Sequence, residues 1–241
     1  MKQLGMIIGL LAGMSGAAIA QSGPSLEIWS GSQSTSVALP SQGNGTWGFT
    51  MSANDPLTFS LNGSSISLSW VTLESDPTVS YGLGVTNNSS STMPYTFTFV
   101  TPTVLAPGQY AVSASVSGSL TDGGSDGVTV SPPASGAIQQ SFIGTAAGND
   151  AGVDLLTSTI TAPDEASSDP IPKATASSTY TLGSTASQIS VTTAFNLSAG
   201  DSATFSGRFD VNAVPEPSSI GLGLICTVIF GFLAIRRRRN A

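Results

Sequence analysis

Apolar and polar residues alternate with a period of two through most of the chain's middle. Tyr95, Phe97 and Phe99 alternate with Thr96 and Thr98, and Tyr110, Val112, Ala114 and Val116 alternate with Ala111, Ser113 and Ser115. The same parity runs through Val79, Tyr81, Leu83 and Val85, and through Ile189, Val191, Thr193 and Phe195. A pleated strand turns successive side chains to opposite faces, so each run predicts a strand with one buried face. Phe205, Phe209 and Val211 share a parity that Gly207 interrupts, which predicts a bulge or a close approach there. In SISLSWVTLE the apolar parity passes from Ile66, Leu68 and Trp70 to Val71 and Leu73, which predicts a β-bulge or a strand crossing after Trp70.

Turn chemistry separates these runs: Asn54-Asp55-Pro56, Asn62-Gly63, Asp76-Pro77, Asn87-Asn88, Ala106-Pro107-Gly108 and Asp122-Gly123-Gly124. Short strands at this spacing, rich in Thr, Ser and Val, predict an all-β fold, an antiparallel β-sandwich of the jelly-roll or Ig-like kind. Two stretches break the alternation. Residues 121–137 are rich in Gly, Ser and Pro. Residues 161–178 carry Asp164, Glu165, Asp169 and Lys173 and read as an excursion loop within one sandwich. The strands after that loop are too few to bury a separate core without disulfides.

The two ends follow another logic. MKQLGMIIGLLAGMSGAAIA has a basic residue, a short apolar run and the small residues Ala18 and Ala20, the pattern of a secretory signal peptide over residues 1–20. Cleavage after Ala20 would make Gln21 the first mature residue, with signal peptidase and the Sec machinery as partners. At the other end, residues 220–235 are uncharged, and as a helix they would reach ~24 Å, a short membrane span. Arg236, Arg237, Arg238 and Arg239 follow directly and act as a stop-transfer signal under the positive-inside rule. Just before the apolar run stand Val214, Pro215, Glu216 and Pro217. Proline fixes φ, lacks an N–H and biases its predecessor toward extended geometry, so this strip should be stiff, extended and poor in hydrogen bonds, as a protease or transpeptidase cleft requires.

The order of short motif, apolar span and arginine cluster over residues 214–241 resembles the PEP-CTERM sorting signal of Gram-negative bacteria. The phrases LESDPTVSYGLGVTNNSS, PYTFTFVTP and FNLSAGDSATFSGRFDV also resemble exported proteins of that kind. The resemblance implies a membrane-embedded exosortase as partner, with Pro215, Glu216 and Pro217 as recognition residues. It also implies an anchored inner-membrane precursor, a later cell-surface or extracellular location, and an association with exopolysaccharide or biofilm. The domain organisation expected is a signal peptide at 1–20, an extracytoplasmic sandwich at 21–213 and the sorting signal at 214–241.

Charge and composition narrow the function further. Of 14 acidic and seven basic residues, 13 acidic and only Lys173 and Arg208 fall within 21–213, a net charge near −11 there. Such a surface repels phosphate backbones, and a nucleic-acid partner is excluded. The chain has no histidine, and its one cysteine, Cys226, lies in the C-terminal apolar run. Nucleophilic triads therefore lack their base, disulfides cannot staple the sandwich, and no catalytic residue, cofactor or metal site is assigned. Asp122, Asp126, Asn149, Asp150 and Asp154 are oxygen-rich but lack EF-hand spacing, and turn formation explains them. Among Trp29, Trp47 and Trp70, strand parity places Trp70 in the core. Trp47, after a Gly-rich turn, is the candidate for exposure and for sugar contact. The sequence reading is thus a non-enzymatic surface or matrix protein, with a carbohydrate-binding module or a calcium-stabilised adhesin as alternatives.

Overall fold

The computed structural model describes residues 23–51, 55–124, 126–134, 136–144, 151, 153–163 and 168–215. The signal peptide with Ala18, Ala20 and Gln21, and the tail from Glu216 through Pro217 and Arg236, Arg237, Arg238 and Arg239, lie outside the described residues. Among the described residues every helix or strand element is a strand. In chain order these are β1 (Ser25–Ser30), β2 (Gln33–Ala38), β3 (Ser41–Gly43), β4 (Thr46–Thr50), β5 (Leu57–Leu61), β6 (Ser64–Glu74), β7 (Thr78–Thr86) and β8 (Met93–Leu105). Then come β9 (Gly108–Thr121), β10 (Val128–Ser131), β11 (Gln139–Ile143), β12 (Ile160–Ala162), β13 (Asp169–Leu182), β14 (Ala186–Leu197) and β15 (Ser202–Ala213).

The strands form two antiparallel sheets. The first has the order β12-β10-β14-β8-β1-β2, with β11 also on β14; the second has the order β13-β9-β15-β7-β6-β4-β3, with β5 on β6. The alternation of apolar residues explains the layering. Phe97, Phe99, Val191 and Phe195 project from the first sheet, and Tyr81, Val116, Phe205 and Phe209 from the second, all buried in one core. The late strands do not form a unit of their own: β14 pairs with β8, and β15 lies between β7 and β9.

Aromatic rings and one polar group tie the layers. Tyr81 stacks on Phe99 across the interface, with ring centroids 4.5 Å apart, and Phe195 lies 4.8 Å from Phe205. The Tyr81 hydroxyl donates to Gln139 Oε1 at 2.8 Å and lies 2.5 Å from Thr193 Oγ1, so a buried phenol on β7 is anchored to β11 and β14. Burial pushes this phenol's pKa well up, with the Thr193 hydrogen bond opposing, so it stays neutral. Gly207 on β15 makes room for the ring. A Cβ there would stand 2.3 Å from Tyr81 Cζ, and both ladders of β15 keep register, so the expected irregularity is a close approach rather than a bulge.

Three sequence expectations change. The bulge in β6 falls between Leu68 and Trp70, one step earlier than the parity suggested. Trp70 therefore turns to the outer face and lies on Gly82, where a Cβ would meet its ring at 2.2 Å. The stretch 121–137 contains β10, and most of 161–178 is strand, with β12 at its start and β13 from Asp169. No apolar period marks β13 in the sequence, because its inward positions are Ala174, Ala176, Ser178 and Tyr180, half-buried and mostly small. The Asn62-Gly63 turn is as expected: φ is +51° and +78°, the pair of left-handed residues that a tight β5–β6 hairpin needs.

Gly207→Ala should lower unfolding stability by about 1–3 kcal/mol, because the added methyl must displace the Tyr81 ring. Denaturant titration followed by intrinsic fluorescence measures it, and an unchanged midpoint would show that the layers can part there at no cost.

Candidate functional site

Three places concentrate chemistry among the described residues: the strip leading to the tail, the exposed tryptophan, and an acidic cluster at the far end. The strip continues β15. The Val214 N–H donates to the Gln109 carbonyl at 2.9 Å, so the ladder with β9 runs one residue past Ala213. Pro215 has no N–H to continue it and is exposed. Val214, expected to lack hydrogen bonds, is therefore part of the sheet, while Glu216 and Pro217 lie outside the described residues. β15 leaves the sandwich beside the first residues of β9 and the last of β13, since Ala213 faces Tyr110 and Thr181 faces Gln109. This defines an exit end of the domain.

The tryptophans are placed differently from the sequence expectation. Trp47 and Phe49 share a parity on β4, face Leu73 and Val71 of β6 in register, and pack half-buried against the core. Trp47 is a packing residue. Trp29 is the exposed one, at 40%. It shares the outer face of β1 with Glu27, because Leu26 and Ile28 take the inner face. Across the ladders Trp29 faces Thr96 and Ser34, and Glu27 faces Thr98 and Ser36. The result is an indole and a carboxylate on a flat floor of hydroxyls. An aromatic face takes the C–H side of a pyranose, while hydroxyls and a carboxylate accept and donate around its rim.

At the end opposite the exit, Asp122, Asp126 and Asp201 each bring a carboxylate oxygen within 4.8 Å of the others. The sequence singled out the first two but not Asp201, which arrives from the β14–β15 turn. Asn149 and Asp150 lie outside the described residues, and Asp154 stands elsewhere, next to the Gln139–Leu155 bridge. Two of the three carboxylates, Asp122 and Asp201, accept local hydrogen bonds. Asp122 takes Gly124 N–H at 2.8 Å and Gly127 N–H at 3.2 Å; Asp201 takes Gly123 N–H at 3.1 Å and the Ser198 hydroxyl. Buried Asn87 completes this end, donating through Nδ2 to the carbonyls of Ser91, Leu197 and Ser198 at 2.9–3.0 Å. These bonds make the cluster a loop staple: they hold the β9–β10 loop to the β14–β15 turn.

A shallow hollow of about 320 Å³ lies against Ser113, Ser115, Thr175, Ser177 and Asp210 on the second sheet. Asp210 is the one carboxylate in its lining, and it is fixed by Arg208 through Nε at 2.7 Å and Nη2 at 2.8 Å, and by the Thr78 hydroxyl at 2.9 Å. The guanidinium binds it in the side-on, two-point way. A pair of carboxylates for acid–base hydrolysis is not formed here.

The family model of the PEP-CTERM protein-sorting motif matches residues 213–239. This motif is the exosortase recognition signal, and it marks an exported protein whose C-terminal membrane anchor is processed at the cell surface. Comparison with curated proteins finds no match. Among solved structures, the chain is similar to TmCBM61 in complex with β-1,4-galactotriose, at 11% identity and TM-score 0.27, over 64% of this chain and 90% of that one. It is similar to the CBM22-1 xylan-binding domain of Paenibacillus barcinonensis Xyn10C, at 10% identity and TM-score 0.26, over 69% of this chain and 90% of that one. It is also similar to the adhesin domain of Epf from Streptococcus pyogenes, at 11% identity and TM-score 0.36, over 80% of this chain and 60% of that one. Likenesses of this size carry no argument about ligand or activity.

Asp201→Ala removes a buried carboxylate that accepts from the Gly123 N–H and the Ser198 hydroxyl, so it should cost about 1–3 kcal/mol. The staple predicts the same loss in thermal unfolding with chelator as with added calcium. A loss confined to the calcium sample would make the cluster a metal site instead.

Proposed function

We propose that this PEP-CTERM protein is a non-enzymatic component of the cell surface or extracellular matrix, held first by its C-terminal span at 220–235 and then processed near Pro215, Glu216 and Pro217. The observation that carries this reading is the position of the strip. Among the described residues the last ladder bond is that of Val214, and exposed Pro215, which has no N–H, follows at one end of the sandwich. A peptide that leaves a rigid domain without a hydrogen-bond partner costs little to draw into an enzyme cleft. The basic residues 236–239 would keep the tail's end on the cytoplasmic side until that step. The way the chain crosses between the sheets at β7–β8, β8–β9 and β13–β14 supports a jelly-roll arrangement over an Ig-like one. The domain limits would then be 1–20, 21–213 and 214–241, with signal peptidase and the Sec machinery acting on the first.

Intact-mass measurement on protein recovered from the cell exterior should show a chain lacking Arg236, Arg237, Arg238 and Arg239. Replacing Pro215 and Pro217 by alanine should slow that loss and accumulate the anchored form. A surface form that retains the four arginines would overturn the processing.

One observation supports a second reading, contact with exopolysaccharide. Exposed Trp29 beside Glu27, above a floor of Thr and Ser, has the chemistry of a sugar platform. Trp29→Ala should then weaken retention on the producing organism's polysaccharide several-fold with an unchanged melting temperature. Trp47→Ala should instead lower the melting temperature, because it empties a core-facing position. Equal retention of Trp29→Ala and wild type would remove the reading.

A further inference from the structure

Sheets end in strands whose outer N–H and C=O groups are unpaired, and proteins guard such edges with short strands, prolines, lysines and bulges. The other outer strands among the described residues are short: β12 and β3 have three residues each, β5 and β11 five each, and β2 six. β13 has 14 residues and pairs, among the described residues, with β9 alone. Its first part is guarded. Pro170, Pro172 and Lys173 stand there, and the register shifts between Ile171 and Ala174. Residues 174–182, ATASSTYTL, contain no proline, no charge and no bulge. In a domain with 13 acidic residues, this is a long uncharged edge in regular register.

We propose that residues 174–182 of β13 pair antiparallel with the same residues of a second copy of this chain, joining two sandwiches edge to edge about a two-fold axis. The sequence is complementary to itself in that register. Centred on Ser178, the pairing sets Ala174 opposite Leu182 and Ala176 opposite Tyr180 on the inner face, small against large. On the outer face it sets Thr175 opposite Thr181 and Ser177 opposite Thr179, hydroxyl against hydroxyl. Cross-strand pairs of this kind are the unit of sheet stabilisation. Lys173 would face Gly183, so no like charges meet. Tyr180, Ala176 and Ala174 are only half-buried in the single copy, and the partner strand covers them. Because the contact uses the same patch on both copies, it closes at the dimer and does not propagate. This pairing is independent of sugar contact at Trp29, and it rests on the proposed function only in that it concerns the form released from the membrane.

Light scattering coupled to size exclusion, on the form recovered from the cell exterior, should give twice the mass of one chain at high concentration and dissociate on dilution. The double variant Ser177→Lys with Thr179→Lys places like charges directly opposite twice and should be monomeric. Ser177→Lys with Thr179→Glu places opposite charges there and should restore the dimer, with both variants giving the wild-type circular dichroism. A monomeric wild type would overturn the proposal, as would a dimer that survives the double lysine change. If the double lysine variant fails to fold, Ser178→Cys in a Cys226→Ser chain replaces it: oxidation should cross-link it to a dimer, and no cross-link would overturn the pairing.

Discussion

Closure of two sheets over a single aromatic layer is the constraint on which the rest of the molecule depends. No cysteine is present between residues 21 and 213, and Arg208–Asp210 is the one ion pair among the described residues. That pair is more than half exposed on the arginine side, where solvent screens it to little net effect. Stability therefore falls to packing. Tyr81, Phe99, Phe97, Phe195, Phe205 and Phe209 fill the space between the layers. The phenol of Tyr81 adds direction to this otherwise non-directional attraction, because its two partners on β11 and β14 are met in only one alignment of the sheets.

The layered core also gives the domain two unlike ends. At one, β15 runs out beside β9 and the chain passes through Val214 to Pro215. At the other, Asn87, Asp201 and Asp122 tie three connections together through buried or backbone hydrogen bonds. Trp29 faces Thr96, three residues from the start of β8, and so belongs to the half of the first sheet nearer that far end. A tether at one end and a tied, aromatic-bearing half at the other suit a domain displayed outward from a membrane. The acidic surface is consistent with staying soluble there.

Much of the fold was legible because the core strands have one dry and one wet face. β7, β8, β9, β14 and β15 all announced themselves by period-two alternation, and Asn62-Gly63 by turn chemistry. β13 was not legible, because an edge strand over a thinning core needs no large inward side chains, and Ala, Ala and Ser give no contrast with Thr and Ser. The glycines beside Trp47 suggest exposure, but its shared parity with Phe49 is the signal that counts, and both residues pack against the core. Trp29 carried the opposite signal, a shared parity with Glu27. Asp201 was beyond reach of sequence reading: it meets Asp122 only because β9 and β15 are neighbours, a tertiary fact with no local mark. The sorting tail was the most legible part of all, since its motif, apolar run and arginine cluster are marked by local order in the sequence and not by tertiary contacts, and the sorting-motif model matches residues 213–239.

The edge pairing and the tether constrain each other. The unguarded half of β13 is the half near the exit, since Leu182 faces Gly108 and Thr181 faces Gln109, the residue whose carbonyl holds Val214. In an antiparallel pair about Ser178, the two exits point in opposite directions along the strands. With Leu182 of each copy opposite Ala174 of the other, they are separated by the length of the paired segment, about 27 Å at ~3.4 Å per residue. Were two chains anchored in one bilayer by the proposed tail, both exits would have to face that bilayer, and the two strands could not meet in this register. Release of the tail would lift the restriction. The proposed processing and the proposed pairing therefore fit one order of events, release first and pairing after it.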